Sequence, residues 1–171
     1  MNQPKKKVLF VCLGNSCRSQ MAEGFARTYG ADVMDASSAG LSPAASISPL
    51  TIKVMRERNV DMEHAWPKSI YDVAGGPFDL IVNMCGYPLP AEVSNPVRDW
   101  TVLDPISHPE KVYVEVARKV EDLVMRLILE LRQEQPSPPA GPQTASKPAT
   151  ADAPPRPMGT GGSRMYRRNR K

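Results

Sequence analysis

The stretch KVLFVCLGNSCRSQMAEGFA, residues 7–26, decides the fold of this chain. Its first six residues form a short apolar run rich in β-branched and aromatic side chains, which is typical of a buried strand. A glycine and an asparagine then end the run. From Ser19 to about Tyr29 the apolar residues recur at helical spacing, and Gly30 stops that pattern. The stretch therefore predicts a strand over 7–12, a glycine-containing loop and a helix.

The rest of the first 135 residues repeats this alternation. Residues 78–84 give the clearest central strand, because the run Leu80-Ile81-Val82 is typical of a strand covered on both faces. The other predicted strands span 33–38 and 98–102, and the other predicted helices span 49–59 and 109–133. Strands that alternate with helices indicate a parallel sheet wrapped by helices, with ligands bound at the carboxyl ends of the strands. The loop after Cys12 lies at such an end.

The composition changes after residue 135. Residues 136–171 contain eight of the 18 prolines and almost no large apolar groups, so they cannot bury enough surface to offset their ordering entropy. We predict one domain over 1–135 and a disordered, Pro-rich tail with a basic end over 136–171. The tail holds seven of the 22 Lys and Arg residues and one of the 18 acids, which leaves the domain slightly acidic. Nucleic-acid binding is therefore unlikely except through the tail, and a binding protein that acts through this basic tail is kept as a second alternative function.

Other features limit the class of protein. No apolar run approaches the roughly 20 residues that a membrane span needs, so no membrane association is expected. Three cysteines, an odd number, make no disulfide framework and favour a reducing, cytoplasmic location. His64 and His108 have no second ligand at metal-binding spacing, and neither a metal nor another cofactor is predicted.

The loop between the first strand and the first helix has the properties of an anion site. Free backbone N–H groups and the positive end of the helix dipole converge there, with Cys12 at its base. The field that binds an anion also favours the thiolate form of a cysteine, which activates Cys12 as a nucleophile without a histidine. Arg18 carries a planar fork of donors that can bind two oxygens of a tetrahedral anion. The candidate substrate-binding residues are Leu13, Gly14, Asn15, Ser16, Cys17, Arg18 and Ser19.

The segment VCLGNSCRSQMAE, residues 11–23, closely resembles the signature of low-molecular-weight protein tyrosine phosphatases and the related thiol-dependent arsenate reductases. Ser38-Ala39-Gly40 and Asp104-Pro105 also fall where that family has them. The resemblance covers about residues 7–133 and implies a doubly wound four-stranded parallel sheet flanked by helices. It identifies Cys12 as the nucleophile, Arg18 as the anion-binding residue and Asp104 as the proton donor. A carboxylate there makes sense independently, because expelling an alkoxide or phenoxide requires a proton.

Two chemistries are open to such a site. A phosphatase would form a cysteinyl phosphate on Cys12 and hydrolyse it, with Cys17 as a possible partner in reversible oxidation. An arsenate reductase would need a second thiol to attack the Cys12 sulfur, either Cys85 or an external thiol reductant. The expected partner is thus a phosphorylated protein or a small oxyanion.

The chain departs from both family patterns. Family phosphatases place aromatic residues directly after Asp-Pro, whereas this chain has Ile106 and Ser107. Thioredoxin-coupled arsenate reductases carry two cysteines after the third strand, whereas this chain has Cys85 alone. On the sequence we favour a phosphatase acting on phosphotyrosine-like phosphomonoesters, with arsenate reductase as the alternative.

Overall fold

The structure is a computed structural model of the 171-residue chain, and it describes residues 4–73, 75–93 and 95–134. Eight elements follow one another along this part of the chain. They are β1 (Lys6–Cys12), α1 (Arg18–Tyr29), β2 (Met34–Gly40), α2 (Pro49–Glu57), α3 (Ile70–Val73), β3 (Leu80–Asn83), β4 (Val97–Asp99) and α4 (Glu110–Glu134). The tail predicted over 136–171 lies outside the described residues.

The four strands form one parallel sheet in the order β2-β1-β3-β4. The chain moves from β1 to one side for β2 and then crosses to the other side for β3, so the strand order reverses at β1. In open parallel sheets of this type, ligands bind beyond the carboxyl ends of the strands at the point of reversal. Cys12 is the last residue of β1 and therefore lies at that point.

Apolar side chains cover both faces of the sheet. On one face Val8, Phe10 and Val82 pack with α1, α2 and α4 in the larger core cluster. On the other face Leu9, Val11 and Ile81 pack with Ile70 of α3 in a smaller cluster. Side chains alternate between the faces of a strand, which is why a continuous apolar run was needed in β1 and β3. The predicted doubly wound, four-stranded parallel sheet is confirmed.

Besides shifts of one or two residues at the ends of β1, α1, α2 and α4, four larger differences from the predicted elements are found. β2 continues to Gly40, because it pairs along the full length of β1. β4 spans 97–99 instead of 98–102, since the chain leaves the sheet after Trp100 and the Val102 carbonyl accepts a hydrogen bond from Arg18 instead. β3 is trimmed to Leu80–Asn83, and the one-turn helix α3 was not predicted. Within the described ranges, no helix is long and apolar enough to cross a membrane.

Candidate active site

The loop of residues 12–17 joins β1 to α1 and is held by the segment 41–48. Four of its carbonyl groups accept hydrogen bonds of 2.9 to 3.2 Å from backbone N–H groups of that segment. The carbonyl and the N–H of a trans peptide point in opposite directions, so the N–H groups of the loop turn away from the segment. In the part of the chain that the structure describes, the N–H groups of residues 14–17 donate to no protein acceptor. Free donors at the N-terminus of α1 are what an anion site requires.

Cys12 lies at the base of this loop with 2% of its surface exposed. Its Sγ is 2.9 Å from the Ser19 hydroxyl. That hydroxyl accepts a hydrogen bond of 2.8 Å from Asn15 Nδ2, which leaves its own proton free to point at the sulfur. Ser19 is thus oriented as a hydrogen-bond donor to the Cys12 sulfur.

Asn15 fixes the shape of the loop. It is fully buried and adopts a left-handed backbone conformation with φ of 46°, which asparagine tolerates better than most residues. Its Oδ1 accepts from Gln20 Nε2 at 3.1 Å and from the Lys68 N–H at 2.7 Å, and its Nδ2 donates to Ser38 as well as to Ser19. Every hydrogen-bonding position of the amide is therefore used.

A buried carboxylate continues this network. Ser38 donates to Glu23, which is 6% exposed and forms ion pairs with Arg27 at 2.5 Å and Lys68 at 3.5 Å. The sequence analysis assigned no role to Glu23 or Lys68. Glu23 stood within the quoted signature and could have been found as an acidic residue on the buried face of a helix, whereas nothing in the sequence connects Lys68 with it.

Arg18 is the first residue of α1 and is 5% exposed. Its guanidinium donates to the Met84 carbonyl at 2.7 Å and the Val102 carbonyl at 3.3 Å. The other terminal nitrogen forms an ion pair of 2.6 Å with Asp104. The buried Nε has no hydrogen-bond partner within residues 4–73, 75–93 and 95–134. Both terminal nitrogens of the guanidinium are thus held by protein groups, while the Nε donor stays free. This arrangement can bind an anion beside Cys12.

Asp104 stands at the rim of the cleft rather than in its base. Its side chain is 40% exposed, and its second oxygen accepts from the Ile106 N–H at 3.2 Å. The predicted trio of Cys12, Arg18 and Asp104 is therefore brought together around one cleft of about 520 Å³. The predicted loop residues Leu13, Gly14, Ser16 and Cys17 line it, while Asn15 and Ser19 lie behind the loop and support it. The opposite wall of the cleft was not predicted from the sequence; it consists of Ser42, Ala44, Ser46, Ile47, Ser48 and Pro49.

The two other cysteines differ in their surroundings. The pKa of the Cys17 thiol is raised to about 12, mainly because the thiol is buried. Thr51 and Arg18 lower this pKa, whereas the nearby Cys12 and Asp104 add to the rise. Cys17 therefore stays protonated near neutral pH. Cys85 follows β3, the strand paired with β1, and lines a second cleft of about 550 Å³.

The parallel α/β sheet thus places a loop with free N–H groups at the switch point, with a cysteine at its base and an arginine at its end, an arrangement suited to a tetrahedral oxyanion. Residues 7–137 match the model of the family described as low molecular weight phosphotyrosine protein phosphatase. The chain belongs to this family and is an enzyme of that superfamily, as the resemblance in the sequence implied.

Individual relatives are arsenate reductases. A glutaredoxin arsenate reductase of Synechocystis sp. is 36% identical over 130 residues, which cover 74% of this chain and 98% of that protein. An arsenate reductase of Bacillus cereus is 31% identical over 126 residues, covering 71% and 93%. The solved structure of an arsenate reductase in the phosphate binding state has 35% sequence identity and a TM-score of 0.69, and the match covers 74% of this chain and 98% of that one.

Proposed function

We propose that this chain reduces arsenate, with Cys12 as the nucleophile and Cys85 as the second thiol. The observation that carries the proposal is that Cys85 lies just beyond the end of β3, the strand hydrogen-bonded to β1, which ends at Cys12. A phosphatase has no need of a second cysteine there. The relatives named arsenate reductase support this alternative better than the phosphatase favoured on the sequence.

The loop and Arg18 bind the oxyanion. Among the described residues, the N–H groups of residues 14–17 and the Nε of Arg18 are donors without acceptors, and buried donors of this kind call for an acceptor. A tetrahedral oxyanion supplies several oxygens at once. The cationic guanidinium also neutralises charge that develops as the sulfur attacks.

The reaction takes two thiols and one arsenate. The Cys12 thiolate attacks arsenic, an S–As bond forms, and one arsenate oxygen leaves as water after protonation, with Asp104, which lines the same cleft, as the proton donor. The Cys85 thiolate then attacks Cys12 Sγ. An S–S bond forms, the S–As bond breaks, and its electron pair stays on arsenic, which leaves as arsenite.

The remaining steps need a thiol from outside the chain. The sequence has three cysteines, and Cys17 keeps its proton because its pKa is about 12. Since a thiolate is the attacking species in disulfide exchange, Cys17 is a poor candidate for opening the Cys12–Cys85 disulfide. Two thiols of an external reductant therefore regenerate the enzyme. The first attacks one sulfur of the Cys12–Cys85 disulfide, frees one cysteine and forms a mixed disulfide; the second attacks this mixed disulfide, frees the other cysteine and leaves the reductant as a disulfide.

Hydrolysis of phosphomonoesters is a second candidate activity of the same site. The observation in its favour is Asp104, half-exposed at the rim and held by Arg18, where it can protonate a leaving oxygen and later activate water. Phosphate and arsenate have the same shape and charge pattern, so the N–H groups of residues 14–17 together with Arg18 accept both.

A paired assay separates the two activities. Purified wild-type protein is compared with Cys12→Ser and Cys85→Ala for aryl phosphate hydrolysis and for arsenite formation with an added thiol. We expect Cys12→Ser to lose both activities and Cys85→Ala to lose arsenite formation while retaining hydrolysis. Arsenite formation that survives Cys85→Ala unchanged would exclude Cys85 as the second thiol, and absence of arsenite with robust hydrolysis would make the chain a phosphatase.

A further inference from the structure

Asn83, the last residue of β3, holds the thiol of Cys85. The side chain of Asn83 is 6% exposed. Its Oδ1 accepts one hydrogen bond from the Cys85 N–H at 3.1 Å and another from Cys85 Sγ at 2.6 Å. An asparagine that binds the N–H two residues further on fixes the start of a turn. Asn83 therefore sets both the backbone and the sulfur position of Cys85.

The amide nitrogen of Asn83 ties the same loop to β4. Nδ2 donates to the Tyr87 carbonyl at 3.0 Å and to Asp99 Oδ1 at 2.8 Å. The Tyr87 carbonyl also accepts from Cys85 Sγ at 3.3 Å. The two donors and two acceptor sites of the amide are all occupied, so the loop 84–87 is fastened through one side chain.

In this arrangement Cys85 is kept apart from Cys12. The strand register pairs Asn83 with Val11, and paired residues of parallel strands face the same side of the sheet. Cys12 belongs to the core cluster on the opposite side. The two sulfurs open onto different clefts, and Arg18 contributes to the walls of both. A disulfide requires a sulfur–sulfur distance of about 2 Å, so the loop has to move before the bond can form.

We propose that Asn83 is a positioning residue that restrains Cys85 and thereby limits the rate of its attack on Cys12. This inference rests on the proposed arsenate reductase activity. The thiol of Cys85 shares its single proton between Asn83 Oδ1 and the Tyr87 carbonyl. Both contacts must therefore break before the thiolate can act. Gly86, at φ of 75°, supplies a left-handed position next to Cys85 that permits the loop to be rearranged.

The step that Asn83 restrains is the attack of Cys85 on Cys12, and its atoms and electrons balance. When the loop opens, Cys85 loses its proton to water and its thiolate attacks Cys12 Sγ of the arsenylated enzyme. The S–S bond forms as the S–As bond breaks, and arsenic is reduced to arsenite while the two cysteines are oxidised.

The test is a single-turnover experiment on the full chain with stoichiometric arsenate and no external thiol. The Cys12–Cys85 disulfide is trapped by acid and alkylation and counted by mass spectrometry over time. We expect Asn83→Ala to form it about tenfold faster than wild type, because the loop loses several hydrogen bonds of modest individual strength. Asn95→Ala is the matched control, since Asn95 is a half-buried asparagine near the same strands that bonds to the Phe78 carbonyl and not to the Cys85 loop. Its rate should equal that of wild type.

A second readout does not depend on arsenate. Alkylation of Cys85 by a small reagent should be accelerated by Asn83→Ala, and to a lesser extent by Asp99→Ala, which frees the amide of Asn83 without removing it. Alkylation of the buried Cys17 reports any general unfolding and should stay unchanged.

The outcomes separate the two proposals. Disulfide formation that is unchanged or slower in Asn83→Ala, with Cys17 still protected, would overturn the role of Asn83. If no variant forms arsenite while Cys85 alkylation is accelerated in Asn83→Ala, then the proposed function fails although the restraint on Cys85 stands.

Discussion

Replacement of Asn15 separates the two roles that this residue has in the loop. Its backbone is left-handed, with φ of 46°, and its buried side chain bonds to four groups. Asn15→Ala removes the side-chain bonds and also forces an alanine into a conformation that costs about 1 kcal/mol or more. Asn15→Gly removes the same bonds but fits the backbone.

The magnitude follows from the groups that lose a partner. The partly buried Lys68 N–H loses its acceptor, which costs about 1 kcal/mol, and each of the other three bonds is worth about 0.5 to 1 kcal/mol. We expect Asn15→Gly to lower the free energy of unfolding by about 3 kcal/mol and Asn15→Ala by about 4 kcal/mol. Activity falls in both, because Ser19 is no longer held as a donor to Cys12.

Asn59 supplies the matched comparison. It is also left-handed, with φ of 58°, but it is exposed and makes no side-chain hydrogen bond with the residues that the structure describes. Asn59→Ala should therefore cost only the backbone term of about 1 kcal/mol, and Asn59→Gly close to nothing. Urea unfolding of the four variants measures these values. Equal losses for Asn15→Gly and Asn59→Gly would refute the reasoning, since the buried network would then contribute nothing.

Three further predictions concern the loop, its neighbours and its rim. Gly40→Ala should weaken phosphate binding, measured by calorimetry, because an added Cβ would lie 2.7 Å from the Leu13 carbonyl; Gly75→Ala, with open space around it, should not. The raised pKa of Cys17 means that the unfolded chain loses this proton above pH 9 while the folded chain keeps it to about 12, so stability should fall across that range. In Cys17→Ala this slope should be reduced, and an unchanged slope in urea unfolding at several pH values would contradict it. Asp104→Asn should slow hydrolysis of aryl phosphates about 10²-fold or more, and less for better leaving groups, as a proton donor requires; equal loss for all leaving groups would argue against that role.

The sequence by itself determined the parts of this protein that depend on residues close to one another along the chain. The apolar run before Cys12, the glycine and asparagine after it and the helical spacing from Ser19 predicted the strand, loop and helix, because each pattern reports burial along one element. The placement of Cys12 and Arg18 at one cleft could also be predicted, since they lie six residues apart across a strand end and a helix start.

Only the tertiary structure decided which distant residues meet at this loop. Lys68 reaches Asn15 from a segment with no regular structure, and Asp104 meets Arg18 only because the chain leaves the sheet after β4. The restraint on Cys85 likewise depends on Asn83 being tied to Asp99 of the next strand. Such contacts join residues that no periodic pattern relates, so they are set by the order and register of the strands and not by any local stretch of sequence.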